Sequence, residues 1–388
     1  MDLVRGADVW LMLFVNEMAG VRGTPAFLLH TPPAADGMTI TDVVFPAFLF
    51  IVGMAIPLSL GGRLRRGEPR SRVWRHVLAR TGTLLAIGVL MVNAEHAQPR
   101  GLVPEPLWNV LMTLAVVLVW GADRQRNWRA AGLALLVVVA FSYRAEGGSG
   151  LMQLRPHWWG ILGLIGWAYL VAAALYLLAG DRPAVFAGAV ALLYLLSLVD
   201  EVGALPGLVA VRPFVWVGRM LGAHGALAVS GALLTLMVAR YRDRARAFIG
   251  PALGYGAALA AAGLLLHSLR DLHPAFWINK VRATAAWCLL SGAWTVAAWT
   301  ALFAAADVAG WRRWPRGLTM AGENALMIYL LAPFLLSLFG LIGVMWGTNP
   351  YAVLGQSLAV GTVRSILFTW LVVRLSGWIR ARGLRLQL

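Results

Sequence analysis

The stretch Thr41-Asp42-Val-Val-Phe45-Pro46-Ala-Phe-Leu-Phe50-Ile-Val-Gly53-Met-Ala-Ile-Pro57-Leu-Ser-Leu60-Gly61, followed at once by Gly62-Arg63-Leu-Arg65-Arg66, decides the fold class. Between Asp42 and Arg63 it carries no charge. About 20 such residues are what an α-helix needs to cross the hydrocarbon core of a bilayer. A charge at mid-bilayer is expensive, so charges collect where spans end, as the arginines do here. The same alternation recurs along the chain. Apolar spans are predicted at 7–21, 41–61, 78–94, 106–122, 128–142, 158–179, 184–199, 222–239, 247–268, 284–306, 318–346 and 353–377. Only 13% of the 388 residues are charged and 60% are hydrophobic, against about 25% charged in a soluble domain. The expectation is an all-α, polytopic integral membrane bundle of about twelve transmembrane helices, or ten to eleven if the weakest spans fail. No linker or low-complexity tract interrupts it, which predicts a single membrane domain over 1–388.

The formal net charge is +16, but the basic residues sit in inter-helix loops, which excludes a nucleic-acid surface as their explanation. Arg63 to Arg80, the group at Arg124, Arg126 and Arg129, that at Arg240 to Arg246, that at Arg312 to Arg316, and Arg380 to Arg385 all fall on one side of a twelve-span chain. By the positive-inside rule that side is cytoplasmic, as are both termini, and loop 22–40 faces outward. Loop 269–283 breaks the pattern, with Arg270, Lys280 and Arg282 on the outer side. Either it serves a site or a neighbouring span is misplaced. The first apolar stretch contains Asn16 and Glu17 and lacks a cleavage site, so it reads as a helix rather than a signal peptide. The lone Cys288 allows no internal disulfide or cysteine metal cluster, and no histidine spacing suggests a metal.

Polar groups inside apolar segments carry the functional signal. Asn16, near the end of the first span, is either interhelical glue or a functional amide. The loop after it is rich in Pro and Gly and holds one histidine, His30, which is either solvated or a base. Asp42 at the next helix start is either a cap or the carboxylate that orients an imidazole. Pro46 and Pro57 suggest a kinked or broken span, unless Pro46 lies in the first turn. Gly160, Gly163 and Gly166 read as packing glycines. Glu323 and Asn324 interrupt an apolar helix. His267 and His273 flank Arg270 and Asp271, as an interfacial cluster or an acceptor-side wall.

Asp2, Arg5-Gly6, Val15-Asn16, His30, Asp42-Val-Val-Phe45-Pro46 and Phe50-Ile-Val-Gly53 together resemble the opening of the transmembrane heparan-α-glucosaminide N-acetyltransferase family and its bacterial relatives. Trp159-Gly160-Ile161-Leu162, Asn279-Lys280, Asp307 and Gly322-Glu-Asn324-Ala325 resemble later pieces of that family, in order. A Trp usual between the loop His and the Asp is missing, and Pro32-Pro33-Ala34 lies there instead. The resemblance therefore bears more on reaction class than on acceptor.

It implies a membrane acyltransferase that moves an acyl group, expected to be acetyl, from cytoplasmic acetyl-CoA to an amine or hydroxyl of a sugar or glycan on the far side. His30, Asn16 and Asp42 would be catalytic. Arg5, Arg63, Arg66, Arg80 and Arg244, with Asn324, would bind the donor, since a polyphosphate needs cations. Trp159, His273, Asn279 and Lys280 would meet the acceptor. No metal is expected. A bacterial cytoplasmic-membrane location, contact with membrane lipids and a homodimer are further expectations. The competing class is a transporter or flippase, which the kinked spans and buried polar groups equally suit.

Overall fold

The computed structural model describes residues 1–96, 103–121, 126–145, 153–241, 244–311, 313–384 and 386. Arg124, Arg242, Arg312 and Arg385, used above for orientation, lie outside the described residues. The chain is all-α, with one isolated bridge between Gly121 and Leu386 in place of any sheet among the described residues.

Nine helical segments among the described residues are long and apolar enough to cross a membrane. Three expected spans fall short for physical reasons. The span 7–21 lies in α1 (Asp2–Ala19), which carries Asp2, Arg5, Asp8 and Glu17. Helices α4 (Glu105–Trp120) and α5 (Arg126–Ser142) have 16 and 17 residues. At 1.5 Å per residue they reach roughly 24–26 Å, less than the ~30 Å hydrocarbon core. The chain clusters into two compact units. One comprises Met1, His30–Leu85 and Ile161–Trp314; the other comprises Asp2–Leu29, Ala86–Gly160 and Pro315–Leu388.

In the first unit, α2 (Ile40–Arg65) runs unbroken through Pro46 and Pro57. The expected break is absent, and Pro46 lies beyond the first turn. Each proline still lacks the N–H that the carbonyl four residues earlier would receive. Helix α2 packs on α8 (His224–Ala239) with backbones nearly touching. A Cβ on Gly53 would lie 1.8 Å from the Ala228 carbonyl oxygen, and one on Gly231 would lie 1.9 Å from that of Phe50. In lipid, such small-residue contacts supply the packing that hydrophobicity cannot. Thr235 Oγ1 reinforces the pair by donating to Met54 O at 2.9 Å. Helix α3 (Arg70–Ala94) is shared between the units, and α6 (Gly160–Ala179) lies almost wholly in the first. Helix α7 (Pro183–Glu201) lies beside a wide π turn, Val217–Ala223, that leads into α8. Helices α9 (Ile249–His267) and α10 (Ala285–Phe303) pair with each other, and α10 also meets α2.

One end of this unit therefore gathers the start of α2, the end of α7, the π turn, the end of α9 and the start of α10. Gly37 N–H donates to Ile278 O at 2.8 Å, and Ile278 N–H donates to Asp36 Oδ1 at 2.7 Å. The far end of α2 carries Arg63 and Arg65, and the following loop and the start of α3 carry Arg66, Arg70, Arg72 and Arg75.

In the second unit, α1 packs on α11 (Arg316–Glu323) through a similar glycine pair, Gly6 against Leu318 O and Gly322 against Asp2 O. The expected span 318–346 is two helices, because the chain turns at Asn324 (φ −116°, ψ 21°) before α12 (Ala325–Trp346). Helix α4 packs on α5 and α12. The short α13 (Pro350–Val353) leads toward α14 (Leu358–Ala381), which backs α1.

Candidate active site

Asp42 sits at the third position of α2, and its side chain is 1% exposed. A carboxylate there can reach back to the backbone before the helix, and Asp42 Oδ2 does so, accepting Thr39 N–H at 3.1 Å. The same oxygen accepts Thr31 N–H at 3.1 Å and the hydroxyls of Thr31 at 2.6 Å and Thr39 at 3.2 Å. Its other oxygen, Oδ1, lies 2.8 Å from His30 Nδ1 and 3.0 Å from Lys280 Nζ. The cap and the imidazole partner are thus one residue, with one oxygen for each task.

His30 is half exposed, with 49% of its side chain accessible. Asp42 holds the Nδ1 proton, which leaves the Nε2 lone pair as the basic position of the neutral ring. The loop that brings His30 back over twelve residues is held from the other side by Asn279. Asn279 Nδ2 donates to Pro33 O at 2.8 Å and Ala35 O at 3.0 Å. Its Oδ1 accepts Arg282 N–H at 3.0 Å, and the residue is buried. With both ends of its amide bound to backbone, Asn279 clasps the loop. Lys280, the next residue, has its ammonium on Asp42.

The turn 279–284 is itself clamped. Thr284 Oγ1 donates to Trp277 O at 2.6 Å, and Ala283 is held at φ 49°. A non-glycine residue at positive φ persists only where its surroundings over-determine it. Glu201 at the end of α7 completes the clamp. It accepts Arg219 through Nε and Nη2, both at 3.0 Å, and Arg282 Nε at 3.1 Å. The basic excess of loop 269–283 is thereby explained: Lys280 and Arg282 each face a buried carboxylate, on Asp42 and Glu201.

No family model matches the chain. Two curated proteins do so over 95 residues: the heparan-alpha-glucosaminide N-acetyltransferases of Mus musculus, at 35% identity, and Homo sapiens, at 34%. Over that stretch the chain is related to the heparan-α-glucosaminide N-acetyltransferases. The alignment spans 24% of this chain and 14% of either relative, so the chain covers far less than the full length of those proteins.

Other residues singled out by likeness to the N-acetyltransferase family fall elsewhere. Asn16 lies in the second unit and is exposed, whereas its neighbour Glu17 is buried. Glu17 receives the Tyr351 hydroxyl, and Arg364 donates to Glu17 O and Tyr351 O, each at 3.0 Å. Arg63, Arg66, Arg80 and Arg244 belong to the first unit, while Arg5 and Asn324 belong to the second. Arg63 pairs with Glu68 at 3.2 Å, and Arg80 lies over the Tyr169 ring at 4.8 Å. Arg66 and Arg244 are exposed. Arg5 Nη1 donates to Gly322 O at 3.2 Å. Asn324 Oδ1 accepts Arg380 Nη1 at 3.2 Å in a cleft of about 180 Å³ lined by Glu323, Met327 and Ser376. Trp159 (φ 69°) follows His157 (φ 46°) in a strained turn of the second unit. His273 accepts Ala275 N–H at 3.1 Å and so caps a local turn; His267 lies 3.6 Å from Asp36.

Sequence reading missed His224, which is 4% exposed at the end of the π turn, with edge contacts to the Phe45 and Trp287 rings at 5.4 and 6.5 Å. It also missed Glu201. The available signal for Glu201 was an acidic pair, Asp200-Glu201, at the end of a span. No group of three or more potential metal-ligating side chains occurs among the described residues.

Proposed function

We propose that the chain is a transmembrane acyltransferase that moves an acetyl group from acetyl-CoA to an amine or hydroxyl of a sugar or glycan. The observation that carries the reading is the 2.8 Å contact between half-exposed His30 and buried Asp42. In the proposed reaction, Nε2 of neutral His30 takes the proton from the acceptor as its nitrogen or oxygen attacks the thioester carbonyl. The new acyl bond forms, the C–S bond breaks, and coenzyme A leaves as the thiolate. The proton gained by His30 then returns to solvent or to that thiolate. Asp42 keeps the ring in the tautomer that presents Nε2 and steadies the imidazolium. A positioned base of this kind contributes 10²–10⁴-fold. Likeness to a named N-acetyltransferase over 95 residues supports the same class.

The donor enters from the Arg-rich side, where Arg63, Arg66, Arg80 and Arg244 attract its phosphates; Arg5 and Asn324 remain donor-site candidates in the second unit. Trp159 and His273 remain acceptor candidates, and Asn16 a candidate oxyanion donor. We assign the chain to a bacterial cytoplasmic membrane, with lipid around its helices and a homodimer as its expected assembly. Calorimetry on detergent-purified protein should show acetyl-CoA binding at low salt that weakens as salt rises, because phosphate–arginine pairs are screened. Transfer to at least one amino sugar or sugar alcohol should follow. Neither binding at low salt nor transfer to any acceptor would overturn the acyltransferase reading and leave the transporter.

Both termini are cytoplasmic in this proposal, and loop 22–40 faces the other side. Cysteine at Thr24 should react with an impermeant thiol reagent in intact cells, and cysteine at Gly67 should be protected. The native thiol, Cys288, is buried and gives little background. The reverse pattern inverts the topology.

A further inference from the structure

We propose that Lys280 sets the charge of the candidate active site, holding His30 neutral and therefore basic at neutral pH. The inference rests on the acyl-transfer reading for its purpose, but not for its physical effect. His30 Nδ1 and Lys280 Nζ meet the same oxygen, Asp42 Oδ1, at 2.8 and 3.0 Å. Two nitrogens bound to one oxygen at these distances lie within about 6 Å of each other.

A carboxylate beside an imidazole favours the imidazolium, because opposite charges attract. An uncompensated Asp42 would therefore keep His30 protonated and deprive it of the lone pair that a general base needs. The Lys280 ammonium neutralises Asp42 while leaving its hydrogen bond to Nδ1 in place. His30 keeps the orientation without the extra proton. Asp42 is sealed at 1% exposure, whereas Lys280 is 23% exposed. The ammonium thus lies where solvent screens it only in part, and its field reaches the ring.

The surroundings hold the lysine in this place. Asn279 and Thr284 clamp its turn, and Arg282, two residues on, is anchored to Glu201 together with Arg219. The other groups facing the loop and the ends of α9 and α10 are paired or neutral. Asp36 faces His267 at 3.6 Å, Arg270 lies 3.9 Å from exposed Asp271, and Thr31 and Thr39 are neutral donors. Among the described side chains, Lys280 is the only lysine or arginine paired with Asp42; the other nitrogen on that carboxylate is the His30 ring.

The test follows His30 directly by histidine side-chain NMR on the full chain in detergent, with the His30→Gln spectrum identifying its resonance. In Lys280→Met the midpoint of the His30 titration should move up by about one pH unit, the size expected for losing a half-screened charge nearby. Lys280→Arg should keep the wild-type midpoint. Lys280→Gln serves the same purpose if the Met variant does not give dispersed, folded spectra. An unmoved or lowered midpoint in a folded neutral variant overturns the proposal. In transfer assays, Lys280→Met should lose about tenfold in kcat/KM at pH 6 and little at pH 8.5. A loss equal at all pH values means that Lys280 acts by packing or on substrate, and also overturns it. A shifted titration in a chain that transfers no acyl group sinks the acyltransferase reading and leaves the electrostatic role intact.

Discussion

Replacing His30 by Gln lowers single-turnover acyl transfer by about 10²–10⁴-fold, the contribution of a positioned general base. Acetyl-CoA affinity changes little, because Arg63 and Arg66, two of the arginines proposed to hold the donor, lie at the opposite end of α2 from Asp42. Stability also changes little, because His30 is half exposed and its partner Asp42 keeps four other hydrogen bonds and the Lys280 ion pair. The measurement is transfer in a single turnover with monodisperse variants, run beside donor calorimetry. Wild-type turnover in His30→Gln would reduce the histidine to a solvated loop residue and direct the search for the base to His273 and Asp271. Equal losses of turnover and donor affinity would make it a binding residue.

Asp42→Asn is expected to lose turnover up to the same limit, about 10⁴-fold, and stability as well, for two separable reasons. An amide no longer enforces one imidazole tautomer, a change that in a serine-protease triad costs about 10⁴. The buried amide also sets its NH2 either against Lys280 and His30 or against the N–H groups of Thr31 and Thr39, according to which oxygen it replaces. Leaving buried donors unmet costs about 1–3 kcal/mol, and a weakened helix start adds to that. Thermal unfolding in detergent reads the second effect, and turnover of the folded fraction reads the first. Lost stability with unchanged turnover per folded molecule would show that Asp42 only caps α2. The pair of variants thus separates the two roles that share one carboxylate.

The legibility of these features in sequence follows their range. The segment from Asp42 to Arg66 reads as a span because hydrophobicity against lipid is a property of each residue in turn, and α2 is that span. The ends of the segments 106–122 and 128–142 were not legible, since a run of apolar residues says nothing of where helix geometry stops; α4 and α5 stop at 16 and 17 residues. Of the two readings of the prolines in α2, a kink or a break, the break does not occur: the helix continues past both. Asp42 was legible as a cap from its place before an apolar run, and as an imidazole partner only as an alternative. His30 was legible as the one histidine of its loop.

What sequence alone determined is what depends on neighbours in the chain: the membrane class, the helices, the Arg-rich loop ends, and the residue types His30 and Asp42 twelve positions apart. Tertiary structure alone decided that both readings of Asp42 hold at once, that Lys280 rests on its second oxygen, that Asn279 clasps the His30 loop, and that Glu201 anchors the turn bearing Lys280. These contacts join residues from 12 to 246 positions apart, and their meeting depends on which helix ends share one end of the unit. An ion pair has no periodicity to betray it in sequence. Its partners are chosen by the path of the backbone, which here includes the close glycine contacts between α2 and α8.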